Sequence, residues 1–284
     1  MNDQPEQKDR PEIVQRLQEA RQRLKQEISR AVIGQDKVID NLLIAMLCRG
    51  HALMIGVPGL GKTLIARSLA RMLEMEYRRI QFTPDLMPSD ITGSDIIEED
   101  PETGRRKLEF FRGPLFTNFL LADEINRAPP KTQAALLQAM QELEVSVGRE
   151  TYPLQPPFFV VATQNPRSQI GTFGLPESQL DRFLMRIRLG YPDVAAEREL
   201  LAGADRRLML KDLSARIDPQ TLLGWQTHVD HVHIAPALLD YVQALLTATR
   251  SSPRWELGLS PRAGLALLGG SDILEGGGRA LIAA

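Results

Sequence analysis

Residues 56–63 have types and a spacing that suit the binding of a phosphate chain. They read Gly-Val-Pro-Gly-Leu-Gly-Lys-Thr, between an apolar run at 52–55 and a helical pattern at 64–70. Glycines let several backbone N–H groups point at one anion, and the N-terminus of the following helix adds partial positive charge. The alternative without a ligand is a glycine-rich turn before an ordinary helix. The strand–loop–helix context favours a P-loop instead.

In a P-loop, Lys62 reaches the β- and γ-phosphates of a nucleoside triphosphate, and the Thr63 hydroxyl binds Mg²⁺. The predicted nucleotide-binding residues of this loop are Gly56, Pro58, Gly59, Leu60, Gly61, Lys62, Thr63 and Leu64.

A second chemical signal is the acidic pair Asp123-Glu124, which follows the apolar run Phe-Leu-Leu-Ala at 119–122. In an open α/β sheet, ligands bind outside the carboxyl ends of the strands. We therefore predict that Asp123 lies beside the P-loop and binds Mg²⁺, and that Glu124 polarises the attacking water. An acidic pair at an exposed strand end is common in isolation. The P-loop upstream favours the interpretation of this pair as part of a nucleotide site.

Two amides end another apolar run, at 159–163. A neutral amide near the γ-phosphate can hold a water without adding negative charge, and Asn165 is the preferred candidate, with Gln164 as the alternate. Since Asn-Pro is also a frequent turn pair, these residues alone leave the two interpretations evenly balanced.

Two arginines could stabilise charge on a transferred phosphoryl group. Arg182 is predicted to end a helix before a strand, and Arg262 to begin a helix near the C-terminus. A guanidinium supplied to a phosphoryl transfer accelerates it by roughly 10³–10⁵-fold. By position alone, both would be ordinary surface arginines.

Three histidines, His228, His231 and His233, share a short stretch with Asp230. Because no further ligand completes a convincing set, we do not predict a metal site there.

The order of the predicted strands and helices indicates an α/β scaffold that carries these residues. Strands alternate with helices up to about residue 190, which predicts a parallel sheet covered on both faces. Two hairpins are predicted, at 93–113 and at 145–154. We predict a polar tail and amphipathic helix at 1–30, an ATPase core at 31–190 and a helical lid domain at 191–284.

Composition excludes several classes of protein. The 284 residues are 43% apolar and 25% charged, with a net charge of −2 and one cysteine, Cys48. The charge balance does not favour nucleic acid, the single cysteine excludes an intramolecular disulfide, and no apolar run is long enough for a membrane span. We expect no nucleic-acid partner, no membrane insertion and a cytoplasmic location.

The chain resembles the MoxR family of AAA+ ATPases, and the hairpin at 93–113 is similar to the helix-2 insert of the clade that includes magnesium chelatase. The motifs that carry the resemblance are Val-Ile-Gly-Gln at 32–35, the P-loop, Leu-Ala-Asp-Glu-Ile-Asn-Arg at 121–127, Ala-Thr-Gln-Asn-Pro at 162–166, residues 176–183 and Ser-Pro-Arg-Ala at 260–263.

The resemblance implies a P-loop NTPase of three αβα layers with a five-stranded parallel sheet and a helical lid. It implies ATP and Mg²⁺ as cofactors, with Ile33 and Gly34 at the adenine. It also implies that Asn165 is sensor 1, Arg182 the finger inserted into the next subunit, and Arg262 sensor 2.

The resemblance further implies a homo-oligomeric ring, usually a hexamer, with chaperone-like action on a partner protein that carries a von Willebrand factor A-type metal-binding domain. Alternatives are a metal-chelatase motor subunit, a scaffold that binds ATP with little turnover and, less favoured, a DNA-remodelling ATPase. The family's lid helix continues beyond Leu268, whereas here glycines at 269–270 and 276–278 are expected to interrupt it and shorten the lid.

Overall fold

A computed structural model of the chain describes residues 10–99, 106–166, 171–202, 213, 217–229, 234–255 and 257–273. The helices are α1 Arg10–Ala31, α2 Asp36–Leu47, α3 Lys62–Met72, α4 Pro88–Thr92, α5 Pro130–Glu142, α6 Glu177–Leu180, α7 Val194–Ala202, α8 Pro219–Val229, α9 Pro236–Ser251 and α10 Pro261–Ile273, with a 3₁₀ turn at Ile125–Arg127. The strands are β1 Ala52–Ile55, β2 Tyr77–Gln81, β3 Gly93–Glu99, β4 Arg106–Arg112, β5 Phe119–Asp123, β6 Glu144–Val147, β7 Glu150–Pro153, β8 Phe159–Gln164 and β9 Met185–Arg188.

Five of these strands form the predicted parallel sheet, in the order β2-β5-β8-β1-β9. All residues of β5 are buried, and so are the first five of β8, as expected for central strands covered on both faces. Parallel pairing brings the carboxyl ends of β1, β5 and β8 to the same edge. The prediction of an α/β fold with this sheet is confirmed.

Two apolar clusters cover the two faces of the sheet. On one face, Met54 of β1 packs in a cluster that includes Ile39 of α2 and Leu69 of α3. On the other face, Leu53 packs in a cluster with Leu137 of α5. Adjacent residues of β1 therefore serve opposite layers, which is the alternation that a strand imposes.

Helix α1 completes the first layer. Leu24 and Ile28 are buried in the same cluster as α2 and α3, and Arg21 and Lys25 both pair with Asp40 of α2, at 3.0 and 2.9 Å. The two cations hold the pKa of Asp40 below its usual value against the opposing effect of burial. The C-terminal part of the predicted amphipathic helix thus packs on the core.

Both predicted hairpins are present. β3 and β4 pair from Gly93 with Arg112 to Glu99 with Arg106, and β6 pairs with β7. The hairpins meet where Phe110 stacks on Tyr152, with a 4.1 Å centroid separation. This contact attaches the base of the longer hairpin to the shorter one.

Two helix boundaries differ from prediction. α10 does not stop before Gly269; it continues to Ile273. Packing explains why the glycines are tolerated, since α10 contacts α2, α8 and α9, and a Cβ at Gly269 would lie 3.8 Å from Cys48 Sγ. Tertiary contacts of this kind outweigh the roughly 1 kcal/mol cost of a helical glycine.

The second difference concerns Arg182, which was predicted to end a helix. α6 ends at Leu180, and Arg182 lies in the turn that follows. The helix cannot continue because the Leu184 N–H donates to the His51 carbonyl at 2.9 Å, which directs the chain into β9 beside β1.

Candidate nucleotide-binding site

The loop at 56–61 joins β1 to α3 with the geometry of an anion-binding loop. Gly59 and Gly61 have φ angles of 88° and 78°, which side chains rarely allow. Gly56 is required for space, since a Cβ there would lie 2.9 Å from the Leu189 Cβ. Backbone conformation therefore explains why glycine is required at two positions of the motif, and lack of space explains the third. α3 begins at Lys62, so its N-terminus faces the loop.

Lys62, the first residue of α3, is buried and contacts this loop. Its Nζ donates to the carbonyl oxygens of Gly56 and Val57. Burial lowers the pKa of Lys62, while the negative charges of Asp123 and Glu124 oppose that shift. The structure thus brings together the lysine and the acidic pair that the sequence placed some sixty residues apart.

Asp123 ends β5, and Glu124 leaves the strand in the left-handed conformation with φ 57°. Such a backbone is unusual for a residue other than glycine, and strain of this kind is concentrated at functional sites. Thr163 supports the turn: its hydroxyl accepts a hydrogen bond from the Glu124 N–H at 2.9 Å and donates one to Asp123 Oδ1 at 2.6 Å.

The outer oxygens of both carboxylates also have partners. Arg79 of β2 binds Asp123 Oδ2 through Nη2 at 2.6 Å and Nε at 3.2 Å. Glu124 Oε2 accepts from Arg127 at 2.9 Å and from Gln81 Nε2 at 3.4 Å. These contacts fix where the two carboxylates point.

Gln164 and Asn165 lie beside the P-loop. Gln164 pairs in register with Ile55, and its carbonyl oxygen accepts a 3.2 Å hydrogen bond from the Gly56 N–H. Asn165 is the next residue, at the carboxyl end of β8. Both amides therefore lie at the carboxyl end of β8, next to the start of the loop.

The segment that contains Ile33 and Gly34 packs against the start of the C-terminal helices. The Gln35 side chain donates to the Gly190 carbonyl at 3.2 Å. Gly34 has a φ of 72°, and a Cβ there would lie 3.2 Å from the Pro192 Cβ. An open cavity of about 320 Å³ flanks the P-loop nearby, lined by Ile55, Gly56, Val57, Leu60, Pro166, Arg186, Arg188, Leu189 and Tyr191.

Asp181 organises a second cluster, which contains Arg262. Arg182 is the next residue after Asp181, and it lines an open cavity together with residues of α5. The Ser260 hydroxyl donates to Asp181 Oδ1 at 2.6 Å, and Arg262 lies 3.5 Å from Asp181 Oδ2. Ser260 also caps α10 by accepting from the Ala263 N–H. The cluster therefore joins the first turn of α10 to the turn that carries Arg182.

His228 lies on α8, where its Nδ1 is 2.7 Å from the Gly224 carbonyl oxygen, while His231 and His233 lie outside the described residues. Within the described ranges, no group of three or more His, Cys, Asp or Glu side chains is arranged to hold a metal.

The individual roles of Thr163, Arg79, Gln81 and Gln133 were not predicted. Gln133, which is buried on α5, donates through Nε2 to the carbonyl oxygens of Ile125, Ala128 and Phe173. It thereby holds the chain that follows Glu124. The positions of Arg79, Gln81 and Thr163 in β2 and β8 gave no signal, because each contacts the acidic pair from about forty residues away.

The donor set suits a nucleotide with its magnesium ion. The loop offers backbone N–H groups and a lysine for phosphate, and the side chains of Thr63 and Asp123 carry hard oxygen atoms of the kind that could hold Mg²⁺. Mg²⁺ is usually held by one or two protein oxygens together with substrate phosphates, so a larger protein cage is not required.

Fold and site together define a P-loop ATPase of the AAA class. Residues 51–185 match the family described as "ATPase family associated with various cellular activities (AAA)". The chain is 36% identical over 259 residues to Protein MoxR of Paracoccus denitrificans, covering 87% of this chain and 72% of that protein. It is 42% identical over 253 residues to Chaperone MoxR1 of Mycobacterium tuberculosis, covering 85% and 65%.

The chain belongs to the MoxR family of AAA+ ATPases. Its fold is also that of a solved relative, the crystal structure of a proposed ATPase from Cytophaga hutchinsonii, with a TM-score of 0.80 and 37% identity over 94% of this chain and 82% of that one. Among the residues that the structure describes, none of the helices has the length and apolar character needed to cross a membrane.

Proposed function

We propose that this protein hydrolyses ATP with Mg²⁺ at the site formed by the P-loop, Asp123 and Glu124. The observation that carries the proposal is the parallel register of β1, β8 and β5, which brings the P-loop and the acidic pair to one edge of the sheet. In this assignment the P-loop binds the phosphates, and Thr63 and Asp123 hold Mg²⁺, which neutralises charge on the phosphates.

Glu124 orients and polarises the attacking water in the proposed mechanism. Its strained backbone and its contacts with Arg127 and Gln81 hold the carboxylate at the strand end. Asn165, at the end of the neighbouring strand, is assigned as the amide that contacts the γ-phosphate or the water. Ile33 and Gly34 are assigned to the adenine, because their segment packs where the core meets the C-terminal helices.

Arg182 is proposed to act as the finger that enters the site of a neighbouring subunit, and Arg262 as sensor 2, supplied by the helical lid. Asp181 links the start of α10, including Arg262, to the turn that also contains Arg182. A cation that enters from a neighbour makes hydrolysis depend on assembly. This arrangement supports a homo-oligomeric ring, for which a hexamer is the expected form.

A chaperone-like role on a partner protein is proposed for the assembly. The similarity to a relative named as a chaperone supports this role. The hairpin of β3 and β4 also offers a contact surface, since Ile97 and Leu108 pair across it and are 68% and 64% exposed. The expected client is a protein with a von Willebrand factor A-type domain.

Substitution of Glu124 by Gln tests the proposal. The amide keeps the shape of the side chain but cannot polarise water, so ATP binding is expected to persist while turnover falls by about 10²-fold or more. Glu76→Gln is the matched control, because Glu76 is an exposed carboxylate that pairs with Arg78. It is expected to keep both activities.

Two measurements decide the outcome: calorimetry of ATP binding, and phosphate release. Full turnover in Glu124→Gln would remove Glu124 from its role, and absence of ATP binding by folded wild-type protein would reject the site. Affinity capture with the Glu124→Gln variant in ATP would then identify a client by its domain composition.

A further inference from the structure

Arg79 is placed where it competes for the carboxylate expected to bind magnesium. Its guanidinium makes two hydrogen bonds to Asp123 Oδ2, at 2.6 and 3.2 Å. Thr163 already occupies Oδ1, and the Asp123 side chain is only 11% exposed, against 45% for Arg79. Both oxygens of the predicted magnesium ligand are therefore engaged by the protein itself.

Arg79 also reaches toward Glu124 through one intermediate. Its Nη2 donates to Gln81 Oε1 at 2.6 Å, and Gln81 Nε2 donates to Glu124 Oε2 at 3.4 Å. An amide has one acceptor end and one donor end, so the guanidinium on Oε1 turns the NH₂ group toward Glu124. A continuous chain of contacts thus joins Asp123 to Glu124 on the side away from Thr163.

We propose that Arg79 is a positioning residue that exchanges with magnesium at Asp123 and, through Gln81, couples that exchange to the orientation of Glu124. The inference rests on the proposed function of this site. Arginine stays protonated at any relevant pH, so it cannot lose its charge when a divalent cation approaches the same carboxylate. Repulsion between the two cations favours movement of the guanidinium away from Asp123.

Movement of Arg79 has a consequence for the catalytic carboxylate. When the guanidinium leaves, Gln81 loses the donor that fixes its amide, and its hydrogen bond to Glu124 loses that support. Glu124 keeps Arg127 at 2.9 Å and its backbone bond to Thr163. Arrival of the metal-bound nucleotide would therefore change one of the three contacts that hold Glu124, which prepares the carboxylate to engage water only when substrate is present.

The magnesium dependence of ATP binding tests this proposal without using turnover. ATP affinity is measured by calorimetry in EDTA and at a series of Mg²⁺ concentrations, for wild type, Arg79→Ala and Arg79→Gln. Removal of the competing charge should lower the Mg²⁺ concentration that gives half of the full increase in ATP affinity by up to about fivefold, the upper end of the range for an exposed ion pair. Both variants are used because Gln keeps a polar side chain of similar length.

Arg78→Ala is the matched control. Arg78 is the preceding residue of β2, its side chain is also 45% exposed, and it pairs with Glu76 at 3.0 Å. This variant should leave the magnesium dependence unchanged. An unchanged or increased magnesium requirement in both Arg79 variants would overturn the exchange. Failure of wild type to bind ATP would instead reject the proposed function.

A double-mutant cycle tests the coupling to Glu124. If Arg79 acts on Glu124 through Gln81, then Gln81→Ala and the double variant Arg79→Ala/Gln81→Ala should show the same turnover at saturating Mg²⁺. A further change in the double variant, equal to the effect of Arg79→Ala alone, would show that the two residues act independently. Such additivity would overturn the coupling to Glu124. The exchange at Asp123 is decided separately, by the magnesium dependence of ATP binding.

Discussion

The Thr163 hydroxyl donates a 2.6 Å hydrogen bond to Oδ1 of Asp123, across the β5–β8 pair. The Thr163 hydroxyl oxygen also accepts a hydrogen bond from the Glu124 N–H at 2.9 Å. Thr163 is fully buried, so neither bond competes with bulk water. One hydroxyl on the strand that carries Asn165 therefore positions both members of the acidic pair on the neighbouring strand.

Thr163→Val tests this role, because valine keeps the shape and removes both hydrogen bonds. It leaves a carboxylate oxygen and a backbone N–H without their partner, which should cost about 1–3 kcal/mol of unfolding free energy. ATP turnover should fall by at least about tenfold as Glu124 loses its support, with a smaller effect on ATP binding.

Urea unfolding and phosphate release measure the two effects. Thr163→Ser is the control, since serine restores the hydroxyl and should recover most of the turnover. Equal activity in the valine and wild-type proteins would show that Thr163 serves packing alone.

Local sequence signals were sufficient to predict a parallel sheet and the chemical groups at the ends of its strands. The glycine spacing at 56–61 and the acidic pair after β5 are signals of this kind, because each depends on residues within one loop or strand. The apolar runs of β5 and β8 likewise predicted burial on both faces, which the structure confirms.

The contacts that organise the site were not predictable in the same way. Arg79 and Asp123 are 44 residues apart, and Thr163 lies another 40 residues away. Sheet order and register bring them together, and no local pattern encodes either. The glycines of α10 failed as a helix stop for a related reason, since the packing of α10 on distant helices decided the outcome.

His51 is a buried histidine that carries a second prediction, on stability. Its Nδ1 accepts the Val160 N–H at 3.1 Å, so the neutral ring carries its proton on Nε2, which lies 3.1 Å from the Met140 carbonyl oxygen. Burial lowers the pKa of His51 to about 4, although the bond to Met140 opposes the shift. A second proton would remove the acceptor that Val160 needs.

The unfolded chain should therefore bind more protons than the folded protein between pH 6.5 and 4. The contribution of His51 is fully present above about pH 6.5 and is lost as pH falls toward 4, by about 3 kcal/mol in total. Denaturant unfolding of wild type and His51→Gln at pH 7.5 and pH 5 measures it: the fall in stability between the two pH values should be smaller in the variant.

His228→Gln is the matched control for that measurement. His228 lies exposed on α8, so the variant should lose stability on acidification as wild type does. If His51→Gln retained the full wild-type loss between pH 7.5 and pH 5, other groups would be responsible for the acid sensitivity.

Arg182 carries the prediction that concerns assembly. If its guanidinium serves a neighbouring site, Arg182→Ala should abolish turnover in a ring made of that variant, by roughly 10³-fold or more, while ATP binding persists. Mixing it with Lys62→Ala chains should restore part of the activity. Those chains lack the phosphate-binding lysine but supply an intact Arg182 to the functional P-loop of the adjacent subunit.

The mixing experiment is read from phosphate release at several ratios of the two variants. Activity should rise to a maximum at intermediate ratios and be absent at both ends. Arg127→Ala is the contrasting variant, because Arg127 contacts Glu124 of its own chain at 2.9 Å. Mixing Lys62→Ala chains with Arg127→Ala chains should give no recovery, since an Arg127 on a neighbour cannot replace the missing contact. A flat response for Arg182→Ala at all ratios would place its action within one subunit and remove the main support for a shared site.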